Sequence, residues 1–174
     1  YTSGSTGLPK GVMIEHQNLC NLSQAQKNLF EVEVTSRVFQ FASISFDASV
    51  SEIFMAVTSG GMLILATTSE LMPTDDFKQI LRDFSVTHIT LPPTALAVLP
   101  TNGLSVLGHI IVAGESCPLD LVNQWSVGRR FFNAYGPTES TVCATVAQIK
   151  DGSDKITIGR PISNTQIYIL DKHL

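Results

Sequence analysis

Strand-length apolar runs and helix-period segments take turns along this sequence. Val12 to Ile14, Val38 to Ala42, Met62 to Ala66, His88 to Leu91, His109 to Ala113, Arg130 to Asn133, Thr141 to Ile149 and Gln166 to Leu170 read as strands. Between them, helices are predicted at His16 to Phe30, with Leu19, Leu22 and Leu29 on one side, and at Ala48 to Thr58, halted by Gly60-Gly61. Further helices are predicted at Thr74 to Phe84 and at Pro118 to Trp125. The Thr74 helix is the clearest. Phe77, Ile80, Leu81 and Phe84 recur at helical spacing, and Pro73, Thr74, Asp75 and Asp76 are start signals. Such alternation implies an α/β fold, a mostly parallel sheet flanked by helices, whose ligands gather at loops beyond the strand ends.

Composition removes several function classes. With 44% hydrophobic and 15% charged residues the chain can bury a core, and a net charge of −4 recruits neither nucleic acid nor an anionic membrane in bulk. Phosphate binding would therefore have to be local. No apolar run reaches the length of a membrane helix, roughly 20 residues. Cys20, Cys117 and Cys143 lie far apart with no CxxC, so buried or half-buried free thiols in a reducing cytoplasm are expected. His16, His88, His109 and His173 lack metalloprotease spacing. The chain opens at Tyr1 directly on a Gly-rich loop, which reads as a cut from something longer.

That loop, Thr2-Ser3-Gly4-Ser5-Thr6-Gly7-Leu8-Pro9-Lys10-Gly11, carries the first chemistry. Small residues admit an anion close to the backbone, successive N–H groups and hydroxyls bind phosphate oxygens, and Lys10 adds a positive charge. The GxxxxGK[ST] phosphate loop is not matched, because Gly11 follows Lys10. Phe46-Asp47, Ala113-Gly114-Glu115 and Asn133 to Glu139 also follow strand-like runs, so one crevice could collect all four segments.

The loop resembles the phosphate-binding signature of the adenylate-forming, AMP-binding superfamily. The stretch Phe46-Asp47-Ala48-Ser49-Val50-Ser51-Glu52-Ile53-Phe54 is similar to the version in adenylation domains of nonribosomal peptide synthetases. Ile89 to Thr94, Ala113 to Glu115, Asn133-Ala134-Tyr135-Gly136-Pro137-Thr138-Glu139 and Ile158 to Thr165 follow in family order. The resemblance covers the whole chain. It implies that residues 1–174 are part of the large N-terminal subdomain of an adenylation domain, cut at both ends. The small C-terminal subdomain, its lysine and the aspartate that grips the ribose would lie beyond Leu174, so these residues alone would not turn over.

The resemblance also implies roles. Thr2, Ser3, Gly4, Ser5, Thr6, Gly7 and Lys10 would hold the ATP phosphates. Ala113, Gly114 and Glu115 would line the adenine pocket together with Ala134 and Gly136. Asn133 would bond the base edge and Tyr135 would stack on it. Thr138 would contact the α-phosphate and Glu139 would hold Mg²⁺, leaving Lys10, Thr138 and Glu139 as the catalytic group. Taken alone, Tyr135-Gly136-Pro137 reads as a β-turn and Glu139 as a solvated carboxylate. The implied reaction joins an amino acid to AMP and releases pyrophosphate. A phosphopantetheine thiol on a carrier domain then takes the acyl group, with a condensation domain as neighbour.

Specificity positions of the family fall on Asp47, Ala48, Ser51, Thr90, Ile111, Ala113, Ala134, Val142 and Cys143. Beyond Asp47 the set is uncharged and several members are small. It resembles sets for phenylalanine and tyrosine, with Ser51 favouring tyrosine. Asp47 would meet the substrate ammonium; alternatively it is a helix N-cap. The rival functions are an acyl- or aryl-CoA ligase of the same superfamily and a non-catalytic nucleotide-binding derivative.

Overall fold

The structure, a computed structural model, describes residues 2–3, 8–72 and 75–172. A short antiparallel pair, β1 (Thr2–Ser3) and β2 (Pro9–Lys10), matches Thr2 with Lys10. The main sheet holds β3 (Arg37–Phe39), β4 (Met62–Ile64), β5 (His88–Leu91), β6 (His109–Val112), β7 (Arg130–Tyr135), β8 (Thr145–Ile149) and β9 (Arg160–Pro161). Its order is β4-β3-β5-β6-β7-β8-β9. Pairing is parallel from β4 through β7 and antiparallel for β8 and β9. This is the mostly parallel α/β sheet that the alternation predicts. The carboxyl ends of the parallel strands therefore share one edge.

Helices cover both faces. Strand alternation puts Val38, His88, Ile111 and Phe132 on one face, where they pack with Leu22 and Ala25 of α1 (His16–Leu29) and with Met55 and Ala56 of α2 (Asp47–Ser59). Phe39, Ile89, Ile110 and Phe131 face the other way. They bury Phe77 and Leu81 of α3 (Asp75–Asp83), Leu96 of α4 (Pro93–Ala97) and Val122 and Trp125 of α5 (Leu119–Trp125). Gly60 ends α2 at φ 72, the left-handed conformation that costs glycine little. At the amino edge, the rings of His88 and His109 stack 4.1 Å apart. Among the described residues no helix is long and apolar enough to cross a membrane.

Several sequence expectations differ from the structure. Val12 to Ile14 is irregular, with Met13 99% exposed, because it has no strand partner among the described residues. Gln166 to Leu170 is likewise unpaired and exposed; strand propensity without a partner makes no sheet. The strand expected from Thr141 begins only at Thr145. Thr141 and Val142 both have positive φ, 64 and 66, and the Cys143 N–H closes a tight turn onto the Thr141 carbonyl at 2.8 Å. Leu29 is exposed, because Phe30 turns into the core in its place. Cys117 and Cys143 are buried thiols, whereas Cys20 lies exposed on the polar side of α1. The start signals at Pro73 and Thr74 fall outside the described residues.

Candidate functional site

The carboxyl edge gathers the motifs. Phe46-Asp47 ends the loop from β3, Ala113-Gly114-Glu115 follows β6, and Asn133 to Glu139 spans the end of β7 and a 3-10 helix at Thr138–Ser140. The register pairs Val112 with Asn133, so Gly114 and Tyr135 leave neighbouring strand ends two residues later. Tyr135 is 54% exposed and able to offer a ring face. Glu115 is anchored: its carboxylate accepts from the Thr94 N–H at 3.3 Å and from the Thr94 hydroxyl at 3.2 Å. Asn133 is buried, with its amide donating to the Thr157 carbonyl at 2.9 Å. Thr138 is half-buried and Glu139 exposed. Lys10 is exposed on the terminal hairpin, while Gly4, Ser5, Thr6 and Gly7 lie outside the described residues, as does the side chain of Ser3.

Alternation along β7 divides the site. Asn133 and Tyr135 take one face of the sheet; Ala134 takes the other, on the side of the positions expected to set specificity. The register sets Thr90 beside Ile111, and Ile111 beside Phe132. Ile111, Ala134 and Cys143 are buried in one cluster, with Ala113 and Val142 packed against it. Asp47, Ala48 and Ser51 come from α2 on that same face. A cavity of about 220 Å³ opens here, lined by Ile14, Leu19, Asp47, Val50, Thr138 and Val142 among others. Glu15, His16 and Thr141 complete the lining, so of the expected specificity positions only Asp47 and Val142 reach this cavity. Asp47 is half-buried with no hydrogen-bond or ion-pair partner among the described residues. Asp47 is not an N-cap. Phe46 holds that place and no side chain caps the helix.

The AMP-binding enzyme family matches over residues 1–174. The chain belongs to that family. Bacitracin synthase 3 of Bacillus licheniformis is 51% identical over 99% of the chain, and novobiocin biosynthesis protein H of Streptomyces niveus is 46% identical over 98%. The chain spans 3% and 28% of these two relatives, respectively. Among solved structures, the Vibrio cholerae adenylation domain AlmE, in complex with glycyl-adenosine-5'-phosphate, superposes with a TM-score of 0.84 at 28% identity. That match covers 92% of the chain and 32% of AlmE. The fold, a seven-stranded sheet flanked by helices, matches that of adenylation-domain structures.

Two residues of this family member were given no role by the motifs. Glu52 is fully buried and accepts from the Phe41 and Ala42 N–H groups, both at 3.1 Å, so it pins the loop that delivers Asp47. Gln26, in mid-helix, is 3% exposed. Both are polar residues at apolar-stripe positions, and that mismatch is the signal by which sequence could have found them. Gly136 is tight for another reason: an added Cβ would sit 2.5 Å from the Ala144 nitrogen and 2.7 Å from the Cys143 Cα. Neither backbone atom can swing away. Gly136→Ala is therefore expected to destabilise the protein by about 2 kcal/mol in urea unfolding. Gly108→Ala, whose new Cβ would have 3.9 Å of clearance, should stay near wild type. Equal midpoints for the two variants would refute the packing argument.

Proposed function

We propose that this chain is part of an amino-acid adenylating, AMP-forming ligase of nonribosomal peptide synthesis. The observation that carries the proposal is Asp47, a half-buried carboxylate with no hydrogen-bond or ion-pair partner among the described residues, in a cavity lined by Ile14, Leu19, Val50 and Val142 together with Glu15, His16, Thr138 and Thr141. An α-ammonium is the complement such a group calls for. A fatty or aryl acid would leave the carboxylate stranded, at several kcal/mol. AlmE, with its glycyl-adenylate, and the bacitracin synthase relative support this reading.

In this reading the substrate carboxylate attacks the α-phosphate of ATP and pyrophosphate leaves. The chain's own residues align the partners and neutralise charge, with no covalent nucleophile. Thr2 to Gly7 and Lys10 hold the phosphates, Thr138 steadies the α-phosphate, and Tyr135 stacks on the base beside Ala113, Gly114, Glu115, Asn133, Ala134 and Gly136. An exposed carboxylate beside phosphate oxygens suits Mg²⁺, so Glu139 would hold that ion, which neutralises phosphate charge when bound. The adenylate then passes to the phosphopantetheine thiol of a carrier domain, in a cytoplasmic synthetase that also holds a condensation domain. The side-chain pocket, bounded by Ala48, Ser51, Thr90, Ile111, Ala113, Ala134, Val142 and Cys143, selects a large neutral side chain, tyrosine ahead of phenylalanine.

The test is ATP–pyrophosphate exchange by the full-length enzyme with a complete amino-acid panel. Lys10→Ala and Glu139→Ala should each raise the KM for Mg·ATP by about tenfold. Unchanged ATP dependence in either variant refutes the role given to it. A charged or very small preferred amino acid overturns the pocket assignment.

A further inference from the structure

Leu19, Leu22 and Gln26 recur on one face of α1. Leu19 reaches the cavity wall, and Leu22 and Gln26 lie in the buried interior beyond it. On α2, Ser51 follows Asp47 by one turn and is likewise buried. The two helices thus run inward from the Asp47 cavity, and their deep polar groups meet. The Ser51 hydroxyl donates to Gln26 Oε1 at 2.9 Å, and Gln26 Nε2 donates to the Cys143 sulfur at 3.8 Å. Burial pushes the Cys143 thiol up to about 11, so its sulfur remains a neutral, weak acceptor. Ser51 and Cys143 are specificity positions; Gln26 ties them together from outside that set.

A serine hydroxyl has one proton and two lone pairs. With its proton held by Gln26, Ser51 has only lone pairs to offer. We propose that Gln26 is a positioning residue for amino-acid selection: it fixes Ser51 as an acceptor, so that the pocket reads a hydrogen-bond donor at the far end of the substrate side chain. This rests on the reading of the Asp47 cavity as the amino-acid site and on the family resemblance that makes Ser51, which lies one turn deeper than the cavity lining, a position of its side-chain pocket. A free serine would rotate and serve donors and acceptors alike. A serine held by a buried carboxamide does not.

The test compares kcat/KM in pyrophosphate exchange by the full-length enzyme for four substrates. Tyrosine and 4-aminophenylalanine carry a donor; phenylalanine and 4-fluorophenylalanine do not. The donor pair should lead by about tenfold in the wild type. Gln26→Leu should shrink that lead to about threefold or less with the KM for ATP unchanged, and Gln26→Met is the second variant should the first fail to fold. Ser51→Ala should remove the lead, and adding Gln26→Leu to it should change the ratio no further, because the two act as one unit. An unaltered ratio in the Gln26 variants overturns the proposal, as does a uniform loss across all four substrates. A wild type that activates amino acids without favouring donors overturns it too, while leaving the adenylation reading intact. A wild type with no amino-acid-dependent exchange ends both.

Discussion

Asp47→Asn should lower amino-acid-dependent pyrophosphate exchange by about a hundredfold, while the deaminated acid of the same side chain loses no more than about threefold. The substitution keeps the shape and removes the charge. An ammonium facing a half-buried asparagine loses a charge-assisted contact and regains little from water. Asp47 also sits in the first turn of α2, where a negative charge complements the helix dipole. That contribution, about 0.3–1 kcal/mol, would be lost identically with both substrates. The ratio between the two acids therefore isolates the ammonium contact from any structural effect. Equal losses for the amino acid and its deaminated analogue would reduce Asp47 to a helix-end charge.

The sheet was legible because its strands are buried on both faces and read as continuous apolar runs. His88 to Leu91 and His109 to Val112 are such strands, and helical spacing in Phe77 and Leu81 marks α3. What failed were segments whose fate depends on a partner. Gln166 to Leu170 has every local mark of a strand and no ladder among the described residues. Thr141 to Ala144 looks like the start of β8. Its backbone is bent instead by consecutive positive φ values at two β-branched residues, a strain no propensity anticipates.

For the site, the motifs placed Asp47, Tyr135 and Thr138 at one edge of the sheet, because α/β topology sends every strand–helix loop there. The polar support behind them was legible only as a mismatch. A glutamine on the Leu19–Leu22 stripe of α1 hints at burial, and only the packing of α1 on α2 shows what Gln26 meets. Glu52 sits within the motif that contains Asp47. Its place among the buried positions of α2 hints at burial, but nothing in its spacing says that its carboxylate meets the β3–α2 loop.

Glu52→Ala should destabilise the protein by about 3 kcal/mol, since it strands the Phe41 and Ala42 N–H groups in a buried site. The pH dependence of stability separates this residue from its surroundings. Burial pushes the Glu52 carboxyl up to about 7, against the hydrogen bonds it accepts from Ala42, Phe41 and Gln40. The folded protein thus keeps a proton that the unfolded chain releases near 4.5, so Glu52 makes stability fall as pH rises from about 4.5 to about 7. His88 acts in reverse. Burial and neighbouring His109 hold it down at about 4, and the unfolded chain takes up its proton near 6.5. Its contribution is therefore complete above 6.5 and is lost as pH falls toward 4. Burial and Arg130 lower His109 as well, which adds to the same side. Between about 4.5 and 6.5 the glutamate and His88 slopes oppose one another, each about 1.4 kcal/mol per pH unit. The wild-type profile is consequently shallow, rising only through His109. Glu52→Gln, which removes the falling component, should steepen the rise by about 1.4 kcal/mol per pH unit in urea unfolding from pH 4.5 to 6.5, and should abolish any decline between 6.5 and 7. His88→Asn should tilt the profile the other way. Parallel profiles for the wild type and Glu52→Gln would mean that Glu52 is already ionised in the folded protein, held by its backbone donors against burial.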